Sequence, residues 1–271
     1  MSFRRLLAAA VIAAWLAPAL ATHAAAANLD VMSYNINWGA PSGKRLDAIA
    51  KVIASSGADV AGLQQVRRFA RVAKKGDYGC VDQPKKLVSA LQRYTGDRWY
   101  WAYAANTSAR QSSKHCKHVT STPRQEGVLI VSRYPISRAD AYKLPYSRGL
   151  ARAAIKAPGG PVAVYTVHLD SGSTGKRAAQ ARRVADIIRK DRTPAIFVTG
   201  DMNDKPGKAP LKVLGGVVKD SWEQVGKGKG ATRNARIDYV LYRGRAKPQS
   251  ARVIQTWVSD HRPVVTRFSV H

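Results

Sequence analysis

The sequence predicts a single α/β domain in which short apolar strands outnumber helices. Apolar runs of strand length recur from residue 28 to the C-terminus, and three segments show the spacing of an amphipathic helix. No internal repeat and no long Pro/Ser-rich linker divides the 271 residues. We therefore assign residues 28–271 to one domain, preceded by a leader at residues 1–27.

The leader has the layout of a secretory signal peptide. Arg4 and Arg5 precede an apolar stretch from Leu6 to Leu20, and small residues continue to Ala27. The apolar stretch is shorter than the ~20 residues that a membrane span needs, which favours cleavage over a retained anchor. We therefore expect an exported, secreted and monomeric protein without stable membrane insertion.

The helices are predicted from apolar spacing and the strands from short apolar runs that end at turn residues. In the first helix Leu46, Ile49, Val52 and Ile53 lie on one face, and Gly57 ends it. The predicted helices are "KRLDAIAKVIASSGAD", "PKKLVSALQRYTG" and "GKRAAQARRVADIIRKD". The predicted strands are "NLDVMSYNINW", "VAGLQQV", "EGVLIVSRYPI", the hairpin "ARAAIKAPGGPVAVYTVHLD", "PAIFVTGDMND", "RIDYVLYRG", "ARVIQTWVSDH" and "PVVTRFSVH".

The charge balance predicts attraction to polyanions. The chain has 45 Lys and Arg against 17 Asp and Glu, a net charge of +28. Nucleic acid, anionic lipid surfaces and polyphosphates are all compatible with such a field. A host that favours basic exported proteins would give the same balance, so charge predicts attraction and not chemistry.

The chain contains two cysteines, Cys80 and Cys116, in polar, turn-rich sequence. In an exported protein an even count favours one disulfide, which would connect two surface loops. A zinc site with His115 and His118 is the alternative, although its spacing matches no common zinc pattern.

Several strands end in polar residues of related chemistry. These residues are Asn35, His168, Asp201, Asn203, Asp238, Asp260 and His261. A buried carboxylate needs a cation or hydrogen-bond donors to offset its desolvation. Converging carboxylate and carboxamide oxygens would suit a hard cation such as Mg²⁺, and a neighbouring histidine would supply a base. Taken singly, each could equally be a turn residue or a satisfied core histidine.

In this order the motifs resemble those of the endonuclease/exonuclease/phosphatase superfamily, the fold of deoxyribonuclease I and the abasic-site endonucleases. The matching segments are "SYNI", "GLQQV", "EGVLIVSRYPI", "VHLD", "TGDMND", "RIDYVL" and "SDHRPV". They extend from Ser33 to Val264, and "GDMND" and "SDHRPV" are the most specific. The resemblance implies a four-layer α/β sandwich: two packed, mainly antiparallel β-sheets flanked by helices, with the site at one rim.

The resemblance also implies divalent-metal-dependent hydrolysis of a phosphoester by in-line attack of water. His261 would be the general base and Asp238 would orient its imidazole. Asp201 and Asn203 would position the nucleophile and the scissile phosphate, and His168 would donate to a phosphate oxygen.

The same resemblance assigns the cation, Mg²⁺ or else Mn²⁺ or Ca²⁺, to Asn35, Asp260 and Gln65. Most relatives have glutamate at the position of Gln65, and an amide contributes no charge, so metal affinity should fall. Three interpretations stay open. The enzyme works with weaker metal binding, helped by Asp260, water or Glu126; it binds phosphates without hydrolysing them; or its metal arrangement differs.

The fold does not identify the substrate. The predicted substrate is nucleic acid, because basic groups in the helical segment 176–192, in the Lys/Gly run at 226–230 and at 233–236 are placed near the site. Arg148 is a further expected phosphate contact. A phospholipid or small phosphoester hydrolase remains the enzymatic alternative, since "DRWYWAYAAN" is aromatic, and a non-catalytic polyanion-binding protein is the other.

Overall fold

The computed structural model describes residues 26–39, 44–68, 70–71, 80–106 and 125–271. The expected signal peptide lies outside these residues except at its last two positions. Cys116 and the side chain of Cys80 also lie outside them, so the expected disulfide and the alternative zinc site both stay predictions. Within the described chain, no helix has the length and apolar character that crossing a membrane requires.

The described residues form two six-stranded sheets and a short two-stranded ribbon. The first sheet has the order β13-β14-β1-β2-β6-β5 and the second β11-β12-β10-β9-β8-β7. The strands are β1 Ala27–Asn35, β2 Val60–Arg68, β3 Ala70–Arg71, β4 Cys80–Val81, β5 Tyr100–Ala105, β6 Gln125–Ser132, β7 Ile136–Leu144, β8 Arg148–Ala157, β9 Gly160–His168, β10 Ala195–Asp201, β11 Lys219–Asp220, β12 Asp238–Gly244, β13 Ala246–Val253 and β14 Val264–Val270.

In the part of the chain that the structure describes, five α-helices accompany the sheets, and each of the three predicted from sequence is present. The helices are α1 Lys44–Ser55, α2 Gln83–Thr95, α3 Thr174–Lys190, α4 Ala209–Gly215 and α5 Ser221–Val225. Helix α3 begins where the Ser173 side chain accepts a hydrogen bond from the Lys176 amide, a typical N-cap, and ends on Arg189 and Lys190.

Three apolar clusters separate four layers. One cluster fills the space between the sheets and includes Phe197 and Phe268, whose ring centroids are 4.7 Å apart. The second lies between the first sheet and helices α1 and α2, and the third between the second sheet and helices α3 and α4. This arrangement confirms the predicted four-layer sandwich.

The two sheets approach closely at Gly62 in β2. A Cβ atom at this position would lie 1.8 Å from the Thr199 hydroxyl and 2.7 Å from the Thr166 hydroxyl of the opposite sheet. Only glycine allows this approach, because any side chain would force the sheets apart. The close approach brings the polar ends of β1 and β2 against those of β9 and β10.

Each sheet contains one parallel pair, and these pairs put the site residues at one edge. Strand β1 is parallel to β2 and β9 is parallel to β10, whereas the other pairs are antiparallel. Helices α1 and α3 make the parallel crossovers. Because the carboxyl ends of parallel strands meet at the same sheet edge, Asn35 in one sheet and His168 and Asp201 in the other end on the same rim.

Candidate active site

Three ionisable residues lie side by side on neighbouring strands of the second sheet. Asp201, at the end of β10, is in register with His168 on β9 and with Asp238 on β12. Both carboxylates are 1% exposed and His168 is 7% exposed. The sheet register therefore assembles two buried acids and an imidazole that are far apart in sequence.

The first sheet adds an amide and a second imidazole to this group. The side-chain amide of Asn35 donates to Asp201 Oδ2 at 2.9 Å. His261, in the segment between β13 and β14, lies 2.9 Å through Nδ1 from Asp238 Oδ2 and 3.8 Å through Nε2 from Asp201 Oδ2. The structure therefore brings Asn35, His168, Asp201, Asp238 and His261 together, as the sequence predicted.

Ser259 joins these parts and was given no role in the sequence analysis. Its hydroxyl donates to the Asn35 carbonyl oxygen at 2.7 Å and accepts from the His261 amide at 3.3 Å. This fixes the histidine loop to the end of β1. The available signal was the position of Ser259 at the start of the "SDHRPV" motif, directly before two residues with predicted roles.

Burial and neighbouring charges shift the pKa values of Asp201 and His261. The pKa of Asp201 is raised to about 7, first by burial and then by the charge of Asp238, against donors from Asn35 and the Asn203 amide. Burial lowers the pKa of His261, but the hydrogen bond and charge of Asp238 outweigh it, so the net shift is upward. A His261 that donates through Nδ1 to Asp238 would leave Nε2 free to accept a proton when neutral.

His168 has the opposite character. Burial first, and then the charges of Arg148 and His261, lower its pKa to about 3. The imidazole is therefore neutral across the physiological range and can donate one hydrogen bond. Its Nε2 atom lies 3.5 Å from Asp201 Oδ2.

The donor set fits a cation. Oxygen and nitrogen atoms of Asp201, Asp238 and His261 all lie within 4.8 Å of one another. The second carboxylate oxygen of Asp238 is buried and has no hydrogen-bond partner among the described residues. An orphaned buried oxygen beside a second carboxylate is unfavourable unless a positive charge or a donor approaches.

The three residues assigned to the metal by resemblance have different surroundings. Asn35 Oδ1 accepts from the Asn37 amide at 3.0 Å. The side chain of Asp260 is 40% exposed and makes a 2.9 Å ion pair with Arg233, a residue expected only to contact substrate. Gln65 is half-buried and lies at an irregularity of β2, where pairing with β6 shifts between Leu63 and Val66.

This irregularity gives the two adjacent glutamines different environments. Gln64 is fully buried, and its amide donates to the Gly62 carbonyl and to the Thr166 hydroxyl, both at 3.0 Å. Gln65 has a left-handed backbone, with φ 57°. Gln64 thus connects the sheets, while Gln65 lies one residue further toward the rim.

Glu126, the carboxylate considered as a substitute for the missing glutamate, is opposite Arg67 in the β2–β6 ladder. Its carboxylate lies 3.7 Å from the Arg67 guanidinium, and both side chains are partly buried. The charge of Glu126 is therefore already balanced by an arginine.

The predicted phosphate contacts occupy the same edge. Arg148 begins β8 and is half-buried, and its charge acts on His168. Asn203 has φ 50°, and its side-chain amide donates to the Leu169 carbonyl oxygen at 3.0 Å, which holds the turn after β10 against the end of β9.

Left-handed backbone conformations cluster at this rim. In the described part of the chain, every non-glycine residue with positive φ is a predicted site residue or lies within three positions of one. These residues are Asn37, Trp38, Gln65, Tyr146, Ser147 and Asn203. Such conformations are unfavourable for side-chain-bearing residues and concentrate where the surrounding structure holds a functional geometry. Asn37, Trp38, Tyr146 and Ser147 were not predicted, because no local motif marks them.

Part of the expected basic surface is not available to a ligand. Arg236, in the segment 233–236, is buried and forms ion pairs with Asp220 at 2.5 Å and Glu223 at 3.5 Å. In α3, Arg177 is likewise buried and lies 3.0 Å from Asp204. The fold thus turns two of these cations inward onto acids. Lys227 and Lys229 are exposed.

The sequence matches the family model described as the endonuclease/exonuclease/phosphatase family over residues 32–261. The chain belongs to this family. That membership supports hydrolysis of phosphoester bonds as the activity, and the buried acid and histidine cluster agrees with the divalent-metal dependence typical of the family. No curated protein matches the chain significantly.

Solved structures of the endonuclease/exonuclease/phosphatase family share the fold. An endonuclease/exonuclease/phosphatase from Beutenbergia cavernae is 23% identical with TM-score 0.70, over 90% of this chain and 72% of that chain. The catalytic domain of human Nocturnin, with a bound sulfate anion, is 18% identical with TM-score 0.65, over 90% and 94%. A mannosyl-6-phosphatase from Bacteroides thetaiotaomicron is 15% identical with TM-score 0.63, over 89% and 99%. At these identities the likeness establishes the fold alone.

Proposed function

We propose that this protein is an exported, divalent-metal-dependent phosphodiesterase, and specifically a nuclease of low sequence specificity. The observation that carries the proposal is the His261–Asp238 pair, 2.9 Å apart, beside the buried carboxylate of Asp201. A base, its orienting acid and a second buried acid are the groups that activation of water at a phosphodiester needs.

In this mechanism His261 accepts a proton from the attacking water at Nε2. Asp238 holds the Nδ1 side of the ring and stabilises the imidazolium that forms. Asn35 and the Asn203 amide hold the Asp201 carboxylate in place for contact with the nucleophile.

His168 and Arg148 contact the phosphate group of the substrate in this mechanism. A neutral His168 donates to a phosphate oxygen, and the Arg148 guanidinium adds positive charge next to it. The cation would be held by carboxylate oxygens of Asp201, Asp238 and Asp260. Amide oxygens would come from Asn35 and Gln65. When bound, the cation would offset the charge that develops on the phosphoryl oxygens.

The choice of nucleic acid rests on the net charge of +28. A repeated phosphate backbone gains from such a field, whereas a single small phosphoester gains little. Binding to a polyanion should also weaken steeply as salt is added. Export follows from the leader at residues 1–27 and belongs to the proposal.

Gln65 motivates the second candidate, a non-catalytic protein that binds phosphate polymers. An uncharged amide at this position removes one negative charge from the cation site. A phospholipid or small phosphoester hydrolase is the enzymatic alternative within the same family.

The test is incubation of the protein lacking residues 1–27 with supercoiled DNA over a millimolar series of Mg²⁺, Mn²⁺ or Ca²⁺, with EDTA as control. We expect metal-dependent nicking that disappears in His261→Ala and persists in His271→Ala, a matched change at the exposed C-terminus.

Nicking that survives His261→Ala would contradict the assignment of the base. DNA binding without nicking, in both the wild-type protein and Gln65→Glu, would overturn the nuclease proposal. Sphingomyelin vesicles and a small phosphodiester, assayed in parallel, would reveal the other hydrolase activities.

A further inference from the structure

Exposed aromatic residues stand close in sequence to the candidate site residues. Among the described residues four large hydrophobic side chains are exposed: Trp38 (37%), Tyr94 (43%), Tyr146 (56%) and Trp257 (83%). Three of them are within four positions of a site residue. Trp38 follows Asn35, Tyr146 precedes Arg148, and Trp257 precedes Asp260 and His261.

Each of these three rings carries a cation over one face. The Arg67 guanidinium lies 4.4 Å from the Trp38 ring centroid, and the Arg262 guanidinium lies 4.9 Å from that of Trp257. The Lys176 ammonium lies 5.5 Å from the Tyr146 centroid. Tyr94, away from the site on α2, instead donates its hydroxyl to Asp47.

Two of the rings belong to residues whose backbone has an unfavourable, left-handed conformation. Trp38 has φ 59° and follows Asn37 at φ 44°, and its carbonyl oxygen accepts from the Gln83 side chain at 2.6 Å. Tyr146 and Ser147 form the turn between β7 and β8 with φ 57° and 60°. The Gln83 contact holds the Trp38 backbone, and the β7–β8 hairpin holds that of Tyr146, so the backbone under both rings is fixed.

The third ring is positioned through its cation. The Arg262 amide donates to the Thr232 carbonyl oxygen at 2.6 Å, and its guanidinium donates to the Ala231 carbonyl oxygen at 3.4 Å. Arg262 therefore anchors the loop that carries Trp257 to the segment that contains Arg233. Its ring contact supports an 83% exposed indole four positions before His261 in the sequence.

We propose that Trp38, Tyr146 and Trp257 are stacking platforms for unpaired bases of a nucleic-acid strand that passes over the site. This inference rests on the proposed function and specifies its substrate as single-stranded or locally unpaired nucleic acid. A base stacks on the exposed part of each ring, while the cation on the covered face holds the ring in place. Stacking of this kind is tolerant of sequence, since every base has a π-face. Base faces inside an intact duplex are not accessible to it.

The surroundings of the rings favour nucleic acid over a membrane. Insertion into lipid requires neighbouring apolar side chains, and the described residues expose no large hydrophobic side chain next to any of the three. Trp257 lies between Thr256 and the partly buried Val258, and Tyr146 is followed by Ser147. Three separate rings with cations, on a chain of net charge +28, match a polyanion with aromatic bases.

The test measures binding in EDTA, where no turnover occurs, at one fixed salt concentration. The ligands are a mixed-sequence single-stranded DNA oligonucleotide, an oligonucleotide of the same length with abasic sugars throughout, and the matching duplex. The variants are Trp257→Ala, the stacking-competent Trp257→Tyr, and Tyr94→Ala as an exposed aromatic control. Because Trp257 is exposed, its replacement leaves the core intact.

We expect Trp257→Ala to weaken single-strand binding about fivefold to a hundredfold, the range measured for loss of one stacked base. Trp257→Tyr and Tyr94→Ala should retain wild-type affinity. The abasic oligonucleotide should bind the wild-type protein more weakly than the normal one, and Trp257→Ala should not weaken it further. Tyr146→Ala and Trp38→Ala should repeat the pattern.

Equal losses for normal and abasic strands, or no loss, would overturn the inference. So would Trp257-dependent binding to phosphatidylserine vesicles without discrimination between the two oligonucleotides. Cleavage assayed separately with metal distinguishes the two proposals: nicking without base-dependent binding rejects only the stacking platforms, and base-dependent binding without cleavage of any strand rejects only the nuclease.

Discussion

Nδ1 of His261 lies 2.9 Å from Oδ2 of Asp238 across the gap between the two sheets. Asp238 begins β12 in the second sheet, whereas His261 precedes β14 in the first. The base and its orienting acid thus belong to different sheets, and their contact depends on how closely the sheets pack. Ser259 and Asn35 reinforce this contact from the first sheet.

Replacing the orienting acid should shift the titration of the histidine. Asp238 is the main cause that raises the pKa of His261 above its ordinary value of about 6.5. In Asp238→Asn the negative charge is absent, so we expect the pKa of His261 to fall and the rising limb of the activity–pH profile to move to lower pH. Titration of the His261 ring protons by NMR gives the same shift without an activity assay.

Asp260→Asn is the graded control for this experiment. Asp260 acts on His261 by charge alone and is the last of the contributing causes. Its removal should lower the pKa in the same direction and by less. A larger shift in Asp260→Asn than in Asp238→Asn would refute the assignment of Asp238 as the orienting acid.

Restoring a carboxylate at position 65 should reduce the metal requirement. Gln65 is half-buried at the rim, where glutamate fits the same space and adds one negative charge to an oxygen-ligand site. We expect Gln65→Glu to reach half-maximal activity at a lower Mg²⁺ concentration. Isothermal titration calorimetry with Mg²⁺ measures the change in affinity independently of turnover.

The adjacent change, Gln64→Glu, provides a matched control. Gln64 is fully buried and its amide donates to a carbonyl oxygen and a hydroxyl, so a carboxylate there would lose a donor and bury a charge. We expect it to destabilise the protein by about 3 kcal/mol, without the gain in metal affinity. Unchanged metal affinity in a folded Gln65→Glu protein would argue that the cation lies elsewhere.

Gly62→Ala should disturb the packing of the two sheets. The new methyl group would lie 1.8 Å from the Thr199 hydroxyl, a distance that no side-chain rotation at position 62 relieves. We expect a loss of about 3 kcal/mol in the free energy of unfolding, the upper range for overpacking of a core. Urea denaturation measures it. Gly215→Ala, where a Cβ meets nothing within 4 Å, should leave stability nearly unchanged.

Low pH should destabilise the protein in part because the Asp191 carboxylate becomes protonated. Its carboxylate accepts from Arg152, Tyr165 and Thr193. Burial raises the pKa of Asp191, but these donors lower it by more than burial raises it. The pKa in the folded state is therefore well below the ordinary value. A depressed pKa stabilises the fold at neutral pH, and this stabilisation is lost as pH falls below about 4.

Asp191→Asn should therefore be less stable than the wild-type protein at pH 7, and the difference should narrow between pH 5 and pH 2. Thermal denaturation across this pH series provides the measurement. Asp186→Asn is the control, because Asp186 pairs with Arg189 on the exposed surface and should matter by less than about 1 kcal/mol. A stability difference that stays constant with pH would show that Asp191 is not the titrating group.

The local sequence was sufficient to predict most of the elements. Alternating and continuous apolar runs placed the central strands, and apolar spacing from Leu46 to Ile53 placed α1, because these patterns reflect which face of each segment is buried. The residues gathered at the rim were also predicted, since His168, Asp201, Asp238 and His261 sit in short motifs that can be read along the chain.

The sequence by itself determined the order of elements and the types of chemical group at the strand ends. Only the tertiary structure decided which groups meet and which stay exposed: Arg236 turns inward onto Asp220, Glu126 is opposite Arg67, and the Trp257 ring is left exposed. The physical reason is that the pattern of apolar residues along the chain reports which face of one local segment is buried, and does not report which segments pack against each other. Partners such as Ser259 and the Asn35 carbonyl, 224 positions apart, are fixed by sheet register and packing, which depend on the whole chain at once.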